Sequence, residues 1–94
     1  MYKLSVVSGP NVGSNYSLQE GESYIGRQPD NTIVVPSANV SKRHCVIAIN
    51  GVEILVKDLG SSNGTFVNGQ PVTRVTRLWP NQKVQIGSAT VESR

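Results

Sequence analysis

The sequence predicts an all-β domain of short antiparallel strands, and three observations carry that prediction. Nine Gly and five Pro among 94 residues place a chain breaker about every seven residues, too often for a long amphipathic helix. Between breakers, apolar and polar residues alternate with the two-residue period of a half-buried strand. Hydrophobic residues make up 37% of the chain, and with Gly counted the composition approaches that of an ordinary globular core. A chain of this length suits one domain, 1–94.

The strands run in order along the chain. Tyr2-Lys3-Leu4-Ser5-Val6 alternates from its first residue. Asn15–Gln19, Ser23–Ile25 and Thr32–Val35 are short β-prone segments between turn residues. Cys45, Ile47 and Ile49 share one face of a strand, with Val46 and Ala48 on the other. Glu53–Asp58 continues the pattern, and Asn50-Gly51 is the strong hairpin signal that joins the two. Thr65–Val67, Thr73–Leu78, Lys83–Ile86 and Thr90–Glu92 complete the series. Such a succession reads as an antiparallel sandwich or barrel.

Composition excludes several functions. No apolar run approaches the ~18 residues that span a bilayer, and no leader-like apolar stretch opens the chain. Neither a membrane partner nor secretion is expected. One Cys and one His cannot furnish a closed zinc site in a monomer, and no cofactor is expected. Together these features point to a reducing compartment, the cytoplasm or, in a eukaryote, the nucleus. A net charge of +3 favours anionic partners, but basic residues are too dispersed and aromatics too few for a nucleic-acid platform.

Three polar loops exceed what a turn requires: Gly26–Asn31, Ser37–His44 and Gly60–Gly69. Gly64 and Gly69 have the G-x-x-x-x-G spacing of a phosphate loop, but Gln70-Pro71 follows where Lys and Ser/Thr are needed. Ser41 and His44 suggest a nucleophile and base, yet no orienting acid or G-x-S-x-G elbow accompanies them. An enzyme is therefore not expected. What the loops do hold is a guanidinium at Arg27, a hydroxyl beside an ammonium at Ser41-Lys42, and an Asn-rich turn. Those groups suit a phosphorylated backbone segment: Arg offers a planar fork to phosphate oxygens, and a carboxamide both donates to and accepts from a main chain.

The order Gly26-Arg27, Ser41-x-x-His44, then Gly60-Ser-Ser-Asn63-Gly64-Thr-Phe-Val-Asn68-Gly69 resembles the forkhead-associated (FHA) domain. The resemblance covers essentially the whole chain, from the Tyr2 strand to Val91. It implies a two-sheet antiparallel β-sandwich of about eleven short strands, of the FHA/SMAD type, that recognises phosphothreonine through loops at one end. Carried over, it implies that Arg27, Ser41 and Lys42 contact the phosphate while Ser62 and Asn63 hold the peptide backbone. Gly26, His44, Gly64 and Asn68 would shape and brace the loops. Partner choice would be read near Asn39, Val40 and the turn after Asn68. Cys45 stands where a small residue is common, and Pro36-Ser37 where an acidic one is frequent.

The expected function is thus phosphorylation-dependent protein–protein interaction in signalling. The partner would be a phosphothreonine-containing protein, in trans or within a longer parent chain from which this module comes. The alternative is a phosphate-independent interaction or oligomerisation domain of the same fold.

Overall fold

A computed structural model describes residues 2–93. Its elements are β1 (Tyr2–Ser8), β2 (Asn15–Leu18), β3 (Gly21–Gly26), β4 (Ile33–Val34), β5 (Cys45–Asn50), β6 (Glu53–Asp58), β7 (Thr65–Val67), β8 (Gln70–Pro71), β9 (Thr76–Arg77), β10 (Lys83–Ile86) and β11 (Ala89–Ser93). They form a six-stranded sheet in the order β2-β1-β11-β10-β7-β8 and a five-stranded sheet in the order β4-β3-β5-β6-β9. The inward residues of both sheets share one core, which includes Leu4, Ile25, Ile47, Val56, Val84, Ile86 and Val91. This is the expected sandwich. No helix among the described residues is long and apolar enough to cross a membrane.

Strand ends move by one or two residues from the sequence reading, and four further details differ. The β5–β6 hairpin turns on Gly51-Val52 rather than Asn50-Gly51, because Asn50 is still paired with Glu53. Thr73–Leu78 contracts to β9, while Gln70–Pro71 forms a strand that the reading missed. Pro71 is tolerated because β8 is an edge strand, where a missing N–H breaks no ladder. The β3–β4 pair is parallel, with Ile25 opposite Ile33. A short loop suffices for this crossover because β4 is only two residues long and the chain has little distance to return. Finally, Ser5 is buried beside its apolar neighbours Leu4 and Val6, and its hydroxyl donates to Asn15 Oδ1 at 2.6 Å.

This topology gathers the polar loops. The C-terminal ends of β3 and β6 and the N-terminal ends of β5 and β7 all reach one end of the sandwich. The three long polar loops leave from that end.

Candidate functional site

The site is built outward from Gly26. Its backbone packs so closely on the second loop that an added Cβ would lie 2.2 Å from the Lys42 carbonyl oxygen. That approach lets Arg27 N–H donate to Ser41 O (3.0 Å) and Arg27 Nε–H donate to Val40 O (3.0 Å). Buried Asn31 secures the same junction, its Nδ2 donating to Gln28 O and Lys42 O at 2.8 Å each. With Nε engaged, the guanidinium is held by its base. Its two terminal nitrogens have no partner among the described residues, so the fork is available to a ligand.

His44 fastens the second loop to the third. It is fully buried. Ser41 N–H donates to Nδ1 (3.1 Å), so the proton must sit on Nε2, which donates to Gly64 O (2.8 Å). Both ring nitrogens are therefore occupied by backbone, and neither addresses the Ser41 hydroxyl. His44 ties the second loop to the third through both ring nitrogens. Ser41 Oγ instead accepts from Ser62 N–H (3.1 Å), which leaves its own O–H free to donate outward. A third tie runs from Asn63 Nδ2 to Asn39 O (2.8 Å).

Asp58 organises the third loop, a role the sequence reading did not assign. One carboxylate oxygen accepts from Gly60 N–H and Ser61 N–H, both at 3.0 Å. The other accepts from the hydroxyls of Ser61 (2.5 Å) and Thr65 (2.7 Å). Partial burial opposes ionisation, but these donors outweigh it and hold the carboxyl below its ordinary value. Because the folded-state pKa is depressed, Asp58 stabilises the fold at neutral pH, and that contribution is lost as pH falls through the folded value. The unfolding midpoint is accordingly expected to drop below about pH 4, and the Asp58→Asn variant to be less stable at pH 7 with a flatter acid profile. Parallel acid profiles for the two proteins would exclude this role. Neighbouring Cys45 is fully buried, and burial, reinforced by the Asp58 charge, pushes its thiol up to about 12. It stays a protonated core residue.

Together the loops enclose an open depression of about 370 Å³ whose lining includes Arg27, Ser41, Lys42, Ser62 and Asn63. All five side chains singled out in the sequence thus line one hollow. Gly26, His44 and Gly64 stand behind it as backbone supports. Arg43 joins the rim, paired with Asp30 (3.0 Å) and stacked over Tyr24. Arg27 and Lys42 form no ion pair among the described residues, and no carboxylate lines the depression, so its potential is positive.

Asn68 lies elsewhere. With Gly69 it forms the β7–β8 turn, both at positive φ (47° and 83°), as a two-residue hairpin of primed type requires. Its Oδ1 accepts from Lys83 N–H (2.9 Å). Val40 is 1% exposed, so it contributes its carbonyl to the site and its side chain to the core. Asn39 instead borders both the depression and an adjoining hollow of about 330 Å³ that Asn63, Phe66, Gln85 and Gly87 share.

Comparison with known proteins agrees with this geometry. The FHA domain profile matches residues 24–87. Over 84 residues the chain is 42% identical to the glycogen accumulation regulator GarA of Mycolicibacterium smegmatis, a match that covers 89% of this chain and 52% of GarA. The chain thus spans about half the length of that relative. The structure of the FhaA FHA domain complexed with the intracellular domain of Rv3910 superposes with a TM-score of 0.91 at 33% identity, covering all of both chains. A domain solved in a study of phosphothreonine-dependent FHA domain interactions gives 0.90, also at 33% identity, covering 99% of this chain and 94% of the other. The loop constellation, the strand order and these likenesses converge: the chain belongs to the FHA domain family.

Proposed function

We propose that this domain binds phosphothreonine-containing protein segments and so mediates phosphorylation-dependent association. Arg27, Ser41 and Lys42 take the phosphate, and Ser62 and Asn63 take the adjoining backbone. The observation that carries this reading is the convergence of a guanidinium held by its base, a hydroxyl with its proton free, and an anchored carboxamide on one hollow. Two relatives support it: one FHA domain of this shape was solved in complex with another protein's intracellular domain, and another belongs to phosphothreonine-dependent interactions.

Phosphothreonine brings roughly −1.5 to −2 charges and three acceptor oxygens. Charge-assisted hydrogen bonds contribute about 1.5–3 kcal/mol each, so a few of them make the phosphate the main anchor. The reading is tested by calorimetric titration with a phosphothreonine peptide library and its unphosphorylated twins. Binding is expected only for the phosphorylated set, and equal affinity of the two sets rejects the proposal.

The ligand's charge state gives a second test. The phosphate's second pKa lies near 6, while Asp58 stays ionised because its carboxyl is held low. If the dianion is the ligand, affinity falls about fourfold between pH 7.5 and 5.5. A flat profile counts against it. Threonine is also expected to be preferred over serine by about fourfold, the worth of one buried methyl at ~0.8 kcal/mol. A phosphoserine twin of equal affinity would remove the methyl contact from the scheme.

A further inference from the structure

Asn31 lies between two polar loops, yet its side chain is only 7% exposed. Its Nδ2 donates to two carbonyls at once, Gln28 O in the first loop and Lys42 O in the second, both at 2.8 Å. Turning the amide over would set oxygen against two oxygens, so this orientation is forced. Its Oδ1 is then left buried with no hydrogen-bond partner among the described residues. An acceptor buried without a donor is a cost to folding, and proteins carry such costs mainly where function requires them.

The carbonyls do not need Nδ2 to be satisfied. Asn31 N–H already reaches Gln28 O (3.2 Å), and Gln28 N–H reaches Lys42 O (3.4 Å). What Nδ2 adds is a short link between the loops at the residue that bears the ammonium. Ser41 is held at both ends of its backbone, its N–H on His44 and its carbonyl on Arg27 N–H. Lys42 is held at its carbonyl, which packs against the Gly26 backbone. Rotation of that peptide would swing the exposed Lys42 side chain away from the depression it lines. The ammonium forms no ion pair among the described residues, so its direction is set from the backbone.

We infer that Asn31 is a positioning residue for the phosphate site: it fixes the Lys42 peptide so that the ammonium stands at the depression before a ligand arrives. The inference rests on the phosphate-binding reading of Lys42 and places the worth of Asn31 in affinity, at a cost in stability taken at Oδ1. A long side chain loses rotamer freedom when it engages a ligand, and a fixed root makes that loss smaller.

A double-mutant cycle tests the coupling, with calorimetric affinities of the intact domain for the tightest phosphothreonine peptide of the library. Lys42→Ala alone is expected to weaken binding about tenfold, the worth of one charge-assisted bond. Asn31→Ala is expected to cost about fivefold when Lys42 is present and less than about twofold in the Lys42→Ala background. In a Ser62→Ala background the Asn31→Ala loss should stay at about fivefold, because that side chain contacts peptide backbone and not phosphate. Asn31→Leu refills the space and removes the orphaned oxygen, and it is expected to repeat the pattern where the Ala variant folds poorly. Unchanged affinity in the folded Asn31 variants overturns the inference. An equal loss with and without Lys42 also overturns it, by making Asn31 a support of the loops as a whole. Lys42→Ala binding as tightly as wild type is a different failure: it removes Lys42 from the phosphate site, and the inference falls with that reading.

Discussion

The Arg27→Ala variant is expected to lose at least about a hundredfold in affinity for a phosphothreonine peptide, the worth of two charge-assisted bonds. The side chain is exposed, and within the protein its loss removes the Nε bond to Val40 O, worth about 1 kcal/mol. Folding should survive, so the variant separates binding from stability. Arg27→Lys retains the charge but neither the fork nor the Nε anchor, and is expected to fall between wild type and Ala. Calorimetry beside thermal unfolding checks both. Arg27→Ala binding as tightly as wild type would mean the phosphate is held elsewhere.

His44→Ala is expected to have the largest effect on the fold. The substitution leaves a cavity at a fully buried position and strips partners from Ser41 N–H and Gly64 O. Leaving these two partly buried groups unpaired costs about 1–3 kcal/mol each, so the loss is about 2–6 kcal/mol before the cavity adds to it. For a domain of this size that lowers Tm by roughly 15 °C or more. Phosphopeptide affinity should fall as well, even where the variant is folded, because Ser41 and the third loop lose their common brace. Gln both accepts and donates, so His44→Gln is expected to recover part of the stability. A His44→Ala protein with unchanged Tm would show that the ring does not tie the loops together.

Much of the fold was legible because strand periodicity is a local property. Cys45, Ile47 and Ile49 alternate with their neighbours regardless of what packs on them, and β5 begins where that pattern does and ends one residue beyond it, at Asn50. What escaped depends on context. Gln70-Pro71 becomes a strand only because the sheet ends there, and whether Asn50 pairs or turns depends on its register with Glu53. The candidate site divides the same way. Residue chemistry identified Arg27, Ser41 and Asn63 as phosphate- and amide-binding groups, but their convergence came from the family resemblance and not from spacing. Asp58 was invisible, since an Asp before a Gly reads as an ordinary turn residue, and only the folded loop reveals four donors on one carboxylate. Val40 shows the converse: it sits among site residues in the chain, yet its side chain belongs to the core.

The most direct measurement is an amide-shift titration of the intact domain with a phosphothreonine peptide, read residue by residue. Saturating shifts are predicted at Arg27, Ser41, Lys42, Ser62 and Asn63, absent with the unphosphorylated peptide. Shifts that appear with both peptides, or that leave these five residues unmoved while the peptide binds, would contradict the phosphate clasp.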